Sequence, residues 1–178
     1  MLRLFPKVLQ VKNRINRKIP TDISKLLALT IAMYGLFKQG MEKDKALALI
    51  KTVILPIGLA KQMSIFRYVE DTDHSFKNLV KYSKRFKEEG PMRLNKMKIR
   101  EESDDVYKFC VKNCIFKNVF DKFGCPELLG VFCSVDNATY NIYSVDDVVF
   151  TRGGGDKTIA RGNKTCDFIC VRTTTIRK

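Results

Sequence analysis

The hydrophobic period along this chain first changes at Gly90-Pro91, and that change limits the fold more than any other feature. Before it, apolar residues recur at three- and four-residue intervals, the spacing of a helix face. After it, short apolar runs alternate with turn residues, the mark of strands interleaved with helices. A helical first half and a mixed second half give an α+β fold, with a helical N-terminal layer packed on a C-terminal antiparallel sheet and two intervening helices. We read residues 1–178 as one domain, with a mainly helical, basic half over 1–90 and an α+β half over 91–178.

Residues 1–19 form a basic lead-in with room for a short helix. Pro20-Thr21-Asp22 combines a proline with capping side chains and predicts a helix to about Lys38. That helix is apolar on too many sides for a narrow stripe, so it is expected to be well buried. A second helix covers Glu42 to Leu59, with Pro56 and Gly58 expected to kink or end it. A third runs from about Asp73 to Glu89. Met92 to Ile99 and Val106 to Val111 read as two strands around the acidic turn Glu101–Asp105. Ile115–Phe123 is helical and ends at Gly124, and Pro126 opens a helix to about Tyr140. Strands follow at Val148–Arg152, Lys157–Ala160 and Asp167–Arg172, with turns at Gly153-Gly154-Gly155-Asp156 and Arg161–Lys164.

At 178 residues, 45% apolar and 29% charged, the chain can bury a core without disulfides or a metal. The longest apolar candidate for a membrane span, Leu26 to Phe37, is broken by Thr30 and Gly35 and falls short of the roughly 18 residues required. The opening residues show no secretory leader, so a cytoplasmic location is expected, with the six cysteines as thiols. The net charge of +14 is uneven. Residues 1–100 hold 22 Lys and Arg against 8 Asp and Glu, whereas residues 101–178 hold 11 of each. A basic half can meet nucleic acid or an anionic surface, but no zinc-finger spacing, aromatic RNA-binding strand or phosphate loop accompanies it. No specific nucleic acid partner and no membrane span are therefore expected, and a homo-oligomer is left open.

The triple glycine Gly153–Gly155 precedes a strand-like segment and so reads as a hairpin turn, not a phosphate loop. The cysteine spacings Cys110/Cys114, Cys125/Cys133 and Cys166/Cys170 differ from zinc and redox motifs, so neither a metal nor another cofactor is expected. His74, the single histidine, lies in a polar helix start and reads as a capping or surface residue. In the second half, Cys133 and Asp136 are three apart on a predicted helix and share a face. Arg152 ends a strand, and Arg161 and Cys166-Asp167 surround the last turn. A thiol, two carboxylates and two guanidiniums on adjoining elements can hold an anionic substrate and assist addition to a C=N bond. The same residues also serve as a structural ion pair and core-filling cysteines, and the pattern alone leaves both readings open.

From about Val111 to Arg172 the chain resembles the L-2-amino-thiazoline-4-carboxylic acid hydrolase family. The resemblance is carried by Asn113-Cys114, Phe123-Gly124-Cys125-Pro126-Glu127-Leu128 and Phe132-Cys133-Ser134-Val135-Asp136. It continues through Val149-Phe150-Thr151-Arg152 and Ile159–Phe168, whose Gly162, Cys166, Asp167 and Phe168 look like the family's closing signature. The helical half is similar in general layout. The resemblance implies that water opens a cyclic thiazoline bearing an amino group and a carboxylate, with the ring thiolate leaving to give N-carbamoyl-L-cysteine. From the chemistry, Arg152 is the first candidate for the substrate carboxylate, with Arg161 and Cys114 also on the substrate side. Asp136 is a candidate for positioning water or protonating the ring nitrogen. Cys133 is a candidate for direct attack if an arginine lowers its pKa, with Cys166 and Asp167 completing the catalytic set. Two rival readings are a non-catalytic small-molecule-binding or sensor domain on the same fold and a nucleic-acid or anionic-surface binder using the basic N-terminal half.

Overall fold

The structure, a computed structural model, describes residues 4–89, 91–143, 146–154 and 156–176. Gly90 of the predicted break and Gly155 of the triple glycine lie outside the described residues. The fold is α+β, as the change of period requires. Helices α1 (Leu4–Arg14), α2 (Thr21–Phe37), α3 (Lys43–Ile65) and α4 (Phe76–Glu89) precede strands β1 (Lys96–Glu102) and β2 (Val106–Asn113). Helices α5 (Ile115–Lys122) and α6 (Leu129–Tyr143), strands β3 (Val148–Thr151) and β4 (Cys166–Arg172), and the short α7 (Thr173–Ile176) follow. The four strands form one antiparallel sheet in the order β1-β2-β4-β3.

Several local expectations are corrected. No side chain caps α2: Pro20 occupies the cap position, and Asp22 pairs with Lys61 on α3 instead. α3 does not end at Pro56 or Gly58 but continues to Ile65. Pro56 is exposed, so the Thr52 carbonyl that loses its helical partner lies on the solvent side, where water can serve it. α4 begins at Phe76, not Asp73, because Asp71 and Asp73 accept bonds from the backbone N–H groups of Asp73 (3.1 Å) and Ser75 (3.2 Å). The N–H of Phe76 is taken by Asp147 from the approach to β3, at 2.7 Å. Met92 and Leu94 lie in a 3-10 turn, Pro91–Leu94, so β1 starts later than expected. Pro126–Leu128 is likewise a 3-10 turn leading into α6. The strand expected at Lys157–Ala160 is absent: Ile159–Arg161 is a 3-10 turn closed by Gly162 at φ +84°. β3 and β4 are thus joined by a long loop, not by two tight hairpins.

α3 also corrects the reading of apolar runs. Because it continues through Pro56 and Gly58, it joins two apolar stretches into one 23-residue helix, long and apolar enough by length and composition to cross a membrane. Its buried residues, Ala46, Ile50, Ile54, Gly58 and Gln62, follow a strict four-residue spacing. That is the stripe of a helix packed against a neighbour within a core.

The neighbour is α6, which sits between α3 and the sheet. On the sheet side, Tyr140 stacks on Phe150 with centroids 4.9 Å apart and meets Phe168 edge-on at 5.4 Å. Phe168 stacks on Phe109 across β2 and β4 at 4.3 Å. Phe66, at the end of α3, packs on Tyr140, Tyr143 and Phe86. Each fully buried apolar side chain of this size contributes about 1.5–3 kcal/mol. On the other side of α6, Gly58 faces Val135 so closely that a Cβ on Gly58 would lie 2.7 Å from Val135 Cγ2. Gly58 therefore sets the distance between the two helices; it does not end α3.

Candidate active site

The close approach at Gly58 brings the next turn of α3 onto α6. Gln62, only 8% exposed, donates from Nε2 to Asp136 Oδ1 at 2.8 Å. Its Oε1 accepts a hydrogen bond from the Thr139 hydroxyl, which also lies 2.9 Å from the Val135 carbonyl. Arg152, just past β3, reaches α6 from the sheet side. Its Nε donates to Asn137 Oδ1 at 2.7 Å and its Nη2 to Asp136 Oδ2 at 3.4 Å. Its guanidinium lies over the Phe168 ring, 3.7 Å from the centroid. The Arg152 side chain is 4% exposed, yet its Nη1 has no partner among the described residues. A buried guanidinium arm without an acceptor is costly, and a carboxylate ligand would satisfy it.

The thiols lie against this ion pair. Cys166 and Phe168 share the helix-facing side of β4. Cys166 Sγ accepts the Ile159 N–H at 3.1 Å and also hydrogen-bonds the Cys133 thiol. The Cys133 hydrogen bond, the Ile159 N–H and the Arg152 charge together outweigh burial and hold Cys166 below the ordinary thiol value. Cys133, as the donor of that bond, is raised, and burial and the Asp136 charge add to the effect. The expected lowering of Cys133 by an arginine is thus reversed, and Cys166 is the lowered thiol of the pair. Cys114, buried at the entry to α5, is pushed up to about 11 by burial. Asp136 is raised by burial, with Arg152 and then Gln62 opposing.

Three spaces adjoin the cluster. An inner cavity of about 30 Å³ is lined by Cys114, Cys133, Asp136, Cys166 and Phe168. A second of about 40 Å³ lies between α3 and α6, beside Gln62 and Asp136. Each has room for water but not for a substrate. The third is an open polar cleft of about 430 Å³, lined by Glu127, Cys133, Ser134, Asn137, Thr158 and Arg161. Cys133 lines both the inner cavity and the cleft. At the cleft edge, Glu127 accepts from the Tyr34 hydroxyl and lies 3.8 and 3.9 Å from the Lys38 and Lys43 ammonium groups. The Tyr34 bond and these charges hold the carboxyl below its ordinary value despite burial.

The structure therefore brings together Cys114, Cys133, Asp136, Arg152 and Cys166. It does not bring in Asp167, which alternates to the opposite face of β4 and pairs with Arg100 at 3.2 Å and the Thr165 hydroxyl at 2.9 Å. Arg161 stands on the cleft, 72% exposed, 3.4 Å from Asp156. His74 stacks on Tyr68 at 4.1 Å and packs on Tyr143. Gln62, Asn137 and Glu127 are additions that the sequence reading missed. Asn137 was within reach, since it shares a helix face with Cys133 at a four-residue spacing. Among the described residues, no three His, Cys, Asp or Glu gather as a metal site.

The fold and the cluster define an α+β protein in which one helix, covered on both sides, holds a carboxylate, a guanidinium contact and one of two paired thiols. The family model of L-2-amino-thiazoline-4-carboxylic acid hydrolase matches residues 22–170, and the chain belongs to that family. The match reaches well into the helical half, beyond the Val111–Arg172 stretch that carries the resemblance. No curated protein and no solved structure matches the chain.

Proposed function

We propose that this protein hydrolyses a small cyclic amidine of the thiazoline-carboxylate type. The observation that carries the reading is the buried Arg152–Asp136 pair with one guanidinium arm free, beside a thiol that opens on a substrate-sized cleft. Substrate enters the cleft and presents its C=N carbon to Cys133, with its carboxylate taken by Arg152. The Cys133 sulfur adds to that carbon as its proton passes to the Cys166 thiolate. The ring C–S bond breaks, and the departing ring sulfur takes the proton from Cys166. Asp136 then accepts a proton from water, whose oxygen adds to the same carbon. The proton of the added hydroxyl passes to the former ring nitrogen as the carbonyl forms and the Cys133–carbon bond breaks; the Cys133 sulfur takes back a proton from Asp136, and N-carbamoyl-L-cysteine is released. The net change is the addition of one water. A carboxyl raised by burial is a stronger base, once ionised, than an exposed one. The chemistry uses reduced thiols, which fits a cytoplasmic setting.

The test is thiol release from L-2-amino-thiazoline-4-carboxylate by the purified protein, with and without chelator, beside Asp136→Asn and Cys133→Ala. Release that both substitutions abolish and chelator leaves intact supports the reading. Release that survives Cys133→Ala but needs Asp136 replaces covalent attack by direct water addition. Saturable binding without release, in a folded sample, moves the protein to the small-molecule-binding class.

A further inference from the structure

We infer that Gln62 is a positioning residue for Asp136, supplied by the helical half of the chain to the chemistry of the other half. The inference rests on Asp136 being the acid–base group proposed above. Three observations carry it. The Gln62 amide is buried and has both ends engaged, with Nε2 on Asp136 Oδ1 at 2.8 Å and Oε1 on the Thr139 hydroxyl. Because a hydroxyl donates to Oε1, the amide must turn its N–H toward the carboxylate. The backbone that delivers it is held at a distance only glycine permits, since a Cβ on Gly58 would collide with Val135. Surface glutamines are free to rotate; this one is clamped from two sides and aimed at one oxygen.

The consequence is a division of labour on the carboxylate. Gln62 takes Oδ1, Arg152 takes Oδ2, and the ionised form is stabilised against burial. The other titratable groups around Asp136 are Cys133 on the same helix, Cys166 on β4, Cys114 at the entry to α5, and Lys61, which lines the same small cavity from α3. Of these, Cys133 is raised and Cys166 lowered, Cys114 is raised, and Lys61 is tied to Asp22. Gln62 is the neutral donor in the set, so its removal changes no charge.

The test compares Gln62→Leu and Thr139→Val with the unaltered protein. Thr139→Val keeps the shape and removes only the hydroxyl that orients the amide. The first readout is the titration of the Asp136 carboxyl by carbon-13 NMR, assigned by its loss in Asp136→Asn; it needs no substrate. In both variants the midpoint should move to higher pH. The second readout is turnover. The acid limb of the kcat profile should move the same way, with kcat down about tenfold, the worth of one hydrogen bond to a charged group, and KM little changed. Thr139→Val decides the matter should Gln62→Leu fail to fold. An unmoved Asp136 midpoint in a folded variant overturns the inference even if turnover is lost. A moved midpoint with no turnover by the unaltered protein upholds the link between Gln62 and Asp136 and overturns the hydrolase reading instead.

Discussion

Arg152 carries the most at the scale of single residues. It pairs with Asp136, holds Asn137 and lies on the Phe168 ring, all from a nearly inaccessible position. Arg152→Met should lower unfolding free energy by about 3 kcal/mol, because it strands the partner charge inside the protein; urea unfolding measures this. Arg152→Lys keeps the charge but loses the planar fork, so KM for a carboxylate substrate should rise about tenfold while the fold holds. A KM unchanged in the lysine variant would remove Arg152 from carboxylate binding. Cys166 makes a second prediction. Its thiolate should form, on titration of thiolate ultraviolet absorbance, below the pH of an ordinary cysteine, and Cys166→Ser should abolish that early step. The sign follows from donors that favour the charged form. Much of this cluster was legible in the sequence: Cys133 and Asp136 share a face by spacing, and Arg152 ends a strand. Gln62 was not, since it lies 74 residues from Asp136 and meets it only because two helices pack. Nor was the direction of the thiol pair, which depends on the Ile159 N–H in a loop read as a strand.

Elements set the positions of these residues through contacts that local propensity does not encode. Pro56 and Gly58 are ordinary helix-ending signals, yet α3 absorbs both: the proline faces solvent and the glycine faces Val135. Gly58→Ala should therefore destabilise the protein by about 1–3 kcal/mol through overpacking, although alanine is the better helix former. It should also lower activity, because α3 must back away from α6 and take Gln62 with it. Chemical denaturation read alongside turnover checks both. A stabilising Gly58→Ala would mean that helix propensity outweighs the contact. The loop between β3 and β4 shows the opposite limit. Lys157–Ala160 reads as a strand, but the chain tightens at Ile159–Arg161 into a 3-10 turn, closed by Gly162, that delivers the Ile159 N–H to Cys166.

For the whole molecule, charge and chemistry are separated along the chain. Residues 1–100 carry the full net charge of +14, and residues 101–178 carry none. Like charges on a compact body repel, so screening should stabilise it. Raising sodium chloride from low ionic strength to about 0.3 M should lift Tm by about 2–4 °C, the equivalent of roughly 1 kcal/mol for a chain of this size. Calorimetry checks this, and a Tm that ignores salt would mean that the basic side chains are spaced too widely to repel.

The thiols are arranged differently from the charges. Five of the six cysteines are sealed in the interior, and Cys133 alone is half-buried, at the floor of the cleft. Access and ionisation therefore fall on different thiols: the reachable Cys133 is raised and the lowered Cys166 is sealed, so a maleimide dye should label the folded chain far more slowly than an ordinary exposed cysteine, and rapidly once urea unfolds it.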